Sequence, residues 1–429
     1  MVFVSSEDFE PVRGTRDFLP REKIARDGIE ARLRKLFEKY GFNPLQTPAL
    51  ENYSVLSSKY AGGAEILKET YKLADQGGRE LGLRYDLTVP LCRVIACNPS
   101  IALPFKRYAI APVWRDGPVS PERLREFTQC DVDTVGTESV LADAEFLALA
   151  SEFFDSLGLD YEVRLNNRVL LEALLEWCGV PGGKALEAML SLDKLDKVGG
   201  KGVLKELDER GFGKEVAEKV LETVRELRGG KGLDKAGELG LQENGLKALG
   251  DVRKTVEFAQ AMGAKNVVFD ASLARGLSYY TGNVFEAVLL ERGVSASVAG
   301  GGRYDNLIGA FLGGRQKIPA VGISFGLERV FKAASEKTGL ARTTVVRAFV
   351  IGLNKEKGLA AVKALREAGV NADLDLKDRG VSKCLDYAGK QGIRFAVIAG
   401  EREEGVTVRD LVEGSEKKVS LKQLPQAVA

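Results

Sequence analysis

The residues whose types and spacing could do chemistry fall in three stretches. The first is a run from Pro104 to Arg115, followed after a short loop by Arg123 to Asp133. Side chains alternate faces along a strand, so Gln129, Asp131 and Asp133 share one side, joined by Arg125 and Phe127 if there is no bulge. Three polar groups on one face near Arg115 either line a ligand or form the solvated outside of a hairpin. In the second, Ala320 to Arg329, a strand turns through Gly326 into a helix. Arg329 then falls in the first helical turns, where it meets an anion or stands as a surface charge. The third is Gly300-Gly301-Gly302-Arg303. It is not the GxGxxG spacing of a dinucleotide fold, and it reads as a backbone passing close to a ligand or another strand, or as a tight turn. Gly199-Gly200-Lys201-Gly202 lacks the P-loop spacing and reads as a mobile loop.

Composition narrows the possible chemistry. There is no histidine among the 429 residues, which excludes Ser-His-Asp and Cys-His triads, HExxH zinc sites and histidine general bases. The five cysteines (Cys92, Cys97, Cys130, Cys178 and Cys384) form no CxxC pair, so neither a disulfide framework nor a thiolate zinc site is expected. Chemistry is left to carboxylates, arginines, lysines, tyrosines and backbone dipoles. Lys plus Arg is 62 against 61 for Asp plus Glu, so a polyanion would have to meet a local basic cluster rather than an overall field. No apolar run is long enough for a membrane span, and the chain reads as soluble and cytoplasmic.

Elements able to position these residues follow from periodicity. A helix is expected over 21–40, with Ile29, Leu33, Leu36 and Phe37 on its apolar face and Gly41 as its stop. Strands are expected at 81–90, 104–114 and 125–135, joined by loops, which favours an antiparallel sheet. A helix follows over 140–157. Glycine- and lysine-rich residues 181–250 read as a helical insertion between a first core part (1–180) and a second (251–335), with strands at 266–270, 283–290, 295–299 and 319–325. After a polar linker, 345–429 alternates strand and helix as a small α/β domain with a partly parallel sheet.

Taken together, these segments resemble the three motifs of class II aminoacyl-tRNA synthetases. The helix leading to Thr47-Pro48-Ala49-Leu50-Glu51 resembles motif 1, the strand–loop–strand around Arg115 motif 2, and Gly326-Leu327-Glu328-Arg329 motif 3. Four further segments resemble signatures of histidyl-tRNA synthetase: Arg13 to Asp17, Arg84-Tyr85-Asp86-Leu87-Thr88, Ala274 to Gly282, and Ala299 to Asp305. The resemblance implies an α+β fold, with a class II antiparallel sheet flanked by helices, a helical insertion, and 345–429 as an anticodon-binding domain. It implies ATP-dependent activation of L-histidine and transfer to tRNA(His), with ATP and Mg²⁺ required and a homodimer built on motif 1.

The same resemblance implies site residues. Arg115 and Arg275 would approach the α-phosphate from opposite sides, Arg115 also gripping the carboxylate, and Arg329 would hold the far end of the triphosphate. Asp86, Thr88 and Gln129, with Leu87 between, would bind the α-amino group. Asp133 and Tyr280 would bind the imidazole with Tyr279 beside them, and Arg123 would lie near the tRNA acceptor end. Three positions depart from the pattern: Gly117 stands where motif 2 usually carries an acidic residue, Thr128 where histidine or an aromatic is frequent, and Ser278 where Asp or Val is more common. A rival reading is the regulatory subunit of ATP phosphoribosyltransferase, which shares this core, generally lacks the C-terminal domain, and loses catalytic motif residues. Here 345–429 is present and Arg115, Arg275 and Arg329 are intact.

Overall fold

The structure, a computed structural model, describes residues 9–58, 63–120, 123–275, 279–290, 297–314, 316–338, 343–401 and 404–428. Its contacts divide the chain into one unit of residues 1–16 and 29–337 and another of 17–28 and 338–429.

The first unit takes α1 (Pro20–Lys39) from Ile29 onward; the helix ends at Tyr40-Gly41, where positive φ at Gly41 lets the chain turn into β1 (Asn43–Pro44). A three-stranded sheet holds β2 (Leu50–Asn52), β3 (Lys72–Ala74) and β4 (Glu80–Leu83) in the order β2-β4-β3, with α2 (Tyr53–Leu56) and α3 (Gly63–Lys68) between β2 and β3. The strand expected at 81–90 stops at Leu83, and α4 (Thr88–Cys97) begins instead. Asp86 accepts a hydrogen bond from the Val89 N–H at 2.9 Å, and Pro90 sits in the first turn, where its missing N–H costs nothing.

An eight-stranded sheet follows. Its members are β1, β5 (Phe105–Trp114), β6 (Glu126–Val135), β7 (Tyr161–Asn167), β8 (Val267–Phe269), β9 (Asn283–Leu289), β10 (Ser297–Arg303) and β11 (Ala320–Gly326), in the order β1-β5-β6-β11-β10-β9-β7-β8. Its interior is antiparallel; the end pairs β1–β5 and β7–β8 are parallel. One face is packed: Phe325 lies against Phe37 of α1 and Phe153 of α5 (Val140–Leu157), and Phe285 against Phe146. Each such ring, fully buried, is worth about 1.5–3 kcal/mol. The packed face leaves the alternate residues to form the other one.

Between β7 and β8 run only helices: α6 (Arg168–Trp177), α7 (Ala185–Leu192), α8 (Leu195–Glu209), α9 (Lys214–Glu226), α10 (Gly229–Glu238) and α11 (Glu243–Ala261). Gly199 to Gly202, expected as a loop, lie within α8, which kinks at Gly199 where φ is 68°. Two short helical elements complete the unit, α12 (Leu307–Phe311) and α13 (Leu327–Thr338). In the second unit β12 (Ala348–Gly352) runs parallel to β13 (Ala372–Leu374) and β14 (Phe395–Ala399). β15 (Val406–Asp410) and β16 (Glu416–Val419) then add antiparallel. α14 (Lys355–Glu367) and α16 (Leu424–Ala427) belong to one apolar cluster, and α15 (Val381–Lys390) to a second.

Candidate active site

The unpacked face of the large sheet has a floor of small residues. Directly opposed residues on antiparallel strands share a face. One row reads Arg107, Asp133, Gly322, Gly302, Val284; the next reads Ala109, Asp131, Ser324, Gly300, Glu286; Ala111, Gln129 and Gly326 continue it. The three consecutive glycines are therefore strand residues of β10 and form no turn. A Cβ on Gly301 would lie 2.1 Å from the Gly322 carbonyl oxygen, and one on Gly302 2.9 Å from the Tyr280 ring. Glycine is needed so that β11 can pack from one side and Tyr280 from the other.

The arginines beside this trough are held in place. Arg275 pairs with Glu286, Nη2 to Oε1 at 2.8 Å, and donates to the Ser297 hydroxyl at 2.9 Å. Arg329, in the first turn of α13, donates to the Ser297 carbonyl at 2.7 Å. Ser297 thus joins two arginines that lie far apart in the chain. Glu328 ties α13 to β6 by accepting the Thr128 N–H at 3.1 Å. Arg115 donates from Nε to the Tyr85 carbonyl at 3.0 Å, its guanidinium lying 5.1 Å from the centre of the Phe127 ring.

Carboxyl and hydroxyl groups also gather here. Asp86 is raised to about 6, chiefly by burial, with the Val89 N–H and Arg115 opposing. Leu87 acts through its backbone: its carbonyl accepts from Arg107 Nη2 at 3.0 Å, while its side chain packs with Ala109 and Val113. Thr88 opens α4, half-buried. Gln129 donates to the Ser324 hydroxyl at 3.0 Å. Asp133 is gripped on two sides, by the Tyr304 hydroxyl at 2.5 Å and by Arg107 at 2.7 Å. The hydroxyls of Tyr279 and Tyr280 are 3.2 Å apart. Burial pushes Tyr279 up to about 12 and raises Tyr280 well above its ordinary value, so both are donors near neutral pH. Gly276, Leu277 and Ser278 lie outside the described residues.

Arg123 stands off the trough, on the exposed loop, paired with Glu69 at 2.5 Å. Glu69 also answers the Gly117 departure. Its Oε1 lies 2.7 Å from where a Gly117 Cβ would be, so a carboxylate from the α3–β3 connection occupies the space beside the loop. Glu69, Glu286, Ser297, Ser324, Tyr304 and Arg107 carry no role in the sequence reading. Arg107 had a signal, since a charged residue shares its strand face with Ala109 and Ala111. In the second unit, Arg379 is bonded to Asp375 at 2.7 Å and stacked on Tyr387, and Arg394 pairs with Asp410 and Glu413, each at 2.8 Å.

Several buried polar atoms on the trough have no hydrogen-bond partner: Gln129 Oε1, Asp131 Oδ1, and Nε and Nη1 of Arg107, while Asp133 Oδ2 is met only by its ion pair with Arg107. Leaving such groups unmet is costly, and their clustering on one face marks a surface shaped for a polar ligand. An open hollow of about 470 Å³ beside α8 differs in this respect. There Lys205 pairs with Glu209 and Arg210 with Glu206. Among the described residues no group of three or more Cys, Asp or Glu is placed to hold a metal ion.

An antiparallel sheet with one packed face and a glycine-floored face flanked by arginines is the arrangement that the class II synthetase motifs anticipate. The family model for histidyl-tRNA synthetase matches residues 14–330, and that for an anticodon binding domain matches 347–429. A Bacillus cereus protein named histidine–tRNA ligase 1 is 44% identical over 96% of this chain and 98% of its own length. The crystal structure of histidyl-tRNA synthetase from Nostoc sp. PCC 7120 superposes with a TM-score of 0.85 at 30% identity, over 98% of each chain. A Bacillus halodurans structure, described as an ATP phosphoribosyltransferase regulatory subunit/histidyl-tRNA synthetase, follows at a TM-score of 0.75 and 25% identity, over 92% of this chain and 99% of its own. The chain belongs to the histidyl-tRNA synthetase family.

Proposed function

We propose that the trough joins histidine to ATP and that the product is passed to tRNA: the chain acts as an ATP-dependent histidine–tRNA ligase. What supports this is that Glu286 and Ser297 hold Arg275 and Arg329 beside a face carrying Gln129 and Asp133, with Tyr280 over Gly302 and Arg115 near Asp86. In the first step the histidine carboxylate attacks the α-phosphate. A new carbon-borne oxygen–phosphorus bond forms, the bond to the β-phosphate oxygen breaks, and pyrophosphate leaves. A carboxylate is already ionised at neutral pH, so no general base is required, consistent with a chain lacking histidine. What the step needs is the positioning of two anions and neutralisation of developing charge, which guanidinium groups held at fixed orientation supply.

Arg115 would meet the carboxylate and α-phosphate, Arg275 the α-phosphate from the other side, and Arg329 the far end of the triphosphate. Mg²⁺ would travel with the phosphate oxygens and supply further charge neutralisation. Asp86, Thr88 and Gln129 would hold the α-ammonium group, and Asp133 with Tyr280 the imidazole, Tyr279 buttressing Tyr280. In the second step a ribose hydroxyl at the tRNA 3′ end attacks the activated carbonyl and AMP leaves, with Arg123 near the acceptor end. Residues 345–429 would bind the anticodon, motif 1 would build a homodimer, and the compartment would be the cytoplasm. The regulatory-subunit reading is not favoured, because the C-terminal domain matches and the motif arginines are all present. Charging of tRNA with labelled histidine tests the proposal. Acid-precipitable label that requires ATP and tRNA is expected, and its absence from folded protein contradicts it.

A further inference from the structure

Among the polar residues on the trough, Asp131 has a geometry that none of the roles above uses. It is 3% exposed, and Oδ1 has no hydrogen-bond partner. Its row neighbours are Ala109 on β5 and Ser324 on β11, with Gly300 beyond. Neither an alanine nor a glycine fills the space above it. Asp133, one row along, differs: Oδ1 takes the Tyr304 hydroxyl, and Arg107 closes on Oδ2. Among the described residues no lysine or arginine nitrogen pairs with Asp131.

The groups that face it come from six places: Arg84 behind β4, Asp86 before α4, Arg107 on β5, Asp133 on its own strand, Ser324 on β11, and the hydroxyls of Tyr279 and Tyr280 before β9. Arg84 is committed elsewhere, to the Thr47, Pro48 and Pro112 carbonyls. Burial raises Asp131 to about 7; Arg107 and the Ser324 hydroxyl oppose this, and the nearby carboxylates of Asp133 and Asp86 reinforce it. A buried carboxyl with an open oxygen at the bottom of a ligand trough is unfinished without a donor from the ligand.

We propose that Asp131 is a specificity-determining carboxylate of the amino-acid site, its open Oδ1 accepting a nitrogen-borne proton of the bound histidine. This rests on the trough being the histidine site. Acceptance is strongest with Asp131 ionised, so binding of histidine is coupled to proton loss from this residue and weakens toward acid. The donor is either the α-ammonium or an imidazole N–H, and both are nitrogen-borne protons that a carboxylate accepts.

The test is ATP–pyrophosphate exchange with histidine from pH 5.5 to 9, for the wild type and Asp131→Asn. The carboxamide keeps the shape and removes the charge. The expected result is a KM for histidine raised about 10- to 100-fold above pH 7, the worth of a charge-assisted hydrogen bond, with the KM for ATP within twofold. The acid limb of kcat/KM for histidine flattens in the variant, and the free ligand's own titration cancels in the comparison. Ser324→Ala is a second variant that keeps the carboxyl and removes a hydroxyl favouring its ionised form; it moves the acid limb toward higher pH. Inhibition by imidazolepropionate, which lacks the ammonium group, separates the two donors: an Asp131→Asn weakening that persists identifies the imidazole, and one that vanishes the ammonium. A KM for histidine within twofold of wild type and an unmoved acid limb in both variants would overturn the proposal. Failure of the wild type to exchange with histidine would instead overturn the assignment of the trough.

Discussion

Glu286→Gln should slow histidine activation without unfolding the protein. Glu286 is 4% exposed and faces the Arg275 guanidinium at 2.8 Å, while Ser297 supplies a second, neutral anchor at 2.9 Å. A hydrogen bond to a charged partner is worth about 1.5–3 kcal/mol. The Arg275 side chain is 45% exposed, so solvent screening places this one at the low end, about 1.5 kcal/mol. Glutamine still offers an acceptor oxygen, so what is lost is the charge that aims the guanidinium. About 1.4 kcal/mol is a factor of ten in rate, so kcat for histidine-dependent ATP–pyrophosphate exchange should fall about tenfold. The KM for histidine should change less, because Arg275 is assigned to the phosphate. The assay is exchange at saturating ATP over a histidine series, with thermal melting as the control for folding. A kcat within twofold of wild type, from protein that melts normally, would refute the view that Glu286 aims Arg275.

Three further outcomes follow from the same geometry. Gly301→Ala places a methyl 2.1 Å from the Gly322 carbonyl oxygen and 2.7 Å from Ile323 Cα, both backbone atoms; denaturant titration should show a loss of about 1–3 kcal/mol or more, and an unchanged midpoint would contradict the close packing of β10 on β11. Arg303→Leu strands the fully buried Asp143 carboxylate and frees the Thr137 and Ser139 carbonyls, so a loss of about 3–5 kcal/mol is expected, and a loss below 1 would contradict it. Asp131 and Asp86 are raised in the folded state to about 7 and about 6, from 3.8. The folded protein therefore binds more protons than the unfolded chain between those values, and the stability they contribute is present below about pH 4 and lost as pH rises through 6 to 7. Melting of unliganded wild type against Asp131→Asn from pH 5 to 8 should show the wild type losing ground as pH rises; a constant difference would contradict it.

Much of the fold was legible because side-chain periodicity records burial. Residues 104–114 and 125–135 alternate as strands do, and 140–157 has an unbroken helical stripe, and β5, β6 and α5 occupy them almost residue for residue. Where local and tertiary signals diverged, the sequence misled. Leu81, Leu83 and Tyr85 alternate, yet the chain turns at Asp86, whose carboxylate caps α4, and Pro90 suits a first helical turn as well as a strand end. Gly199 to Gly202 look too flexible for a helix, but the turns on either side carry them through α8 with one kink. The triple glycine could not be read alone, since its cause is the approach of β11 and Tyr280. In the site, alternation put Gln129, Asp131 and Asp133 on one face. Which carboxylate keeps an open oxygen depends on Arg107 and Tyr304, which reach the site from β5 and from beyond β10, and no spacing within 125–135 encodes that.

Activation of a single amino acid by the trough is the central claim. ATP–pyrophosphate exchange, run with each standard amino acid in turn, measures adenylate formation and side-chain choice together. Exchange with histidine alone is the predicted result. Exchange with a different amino acid, or silence with all of them from folded protein, would contradict it.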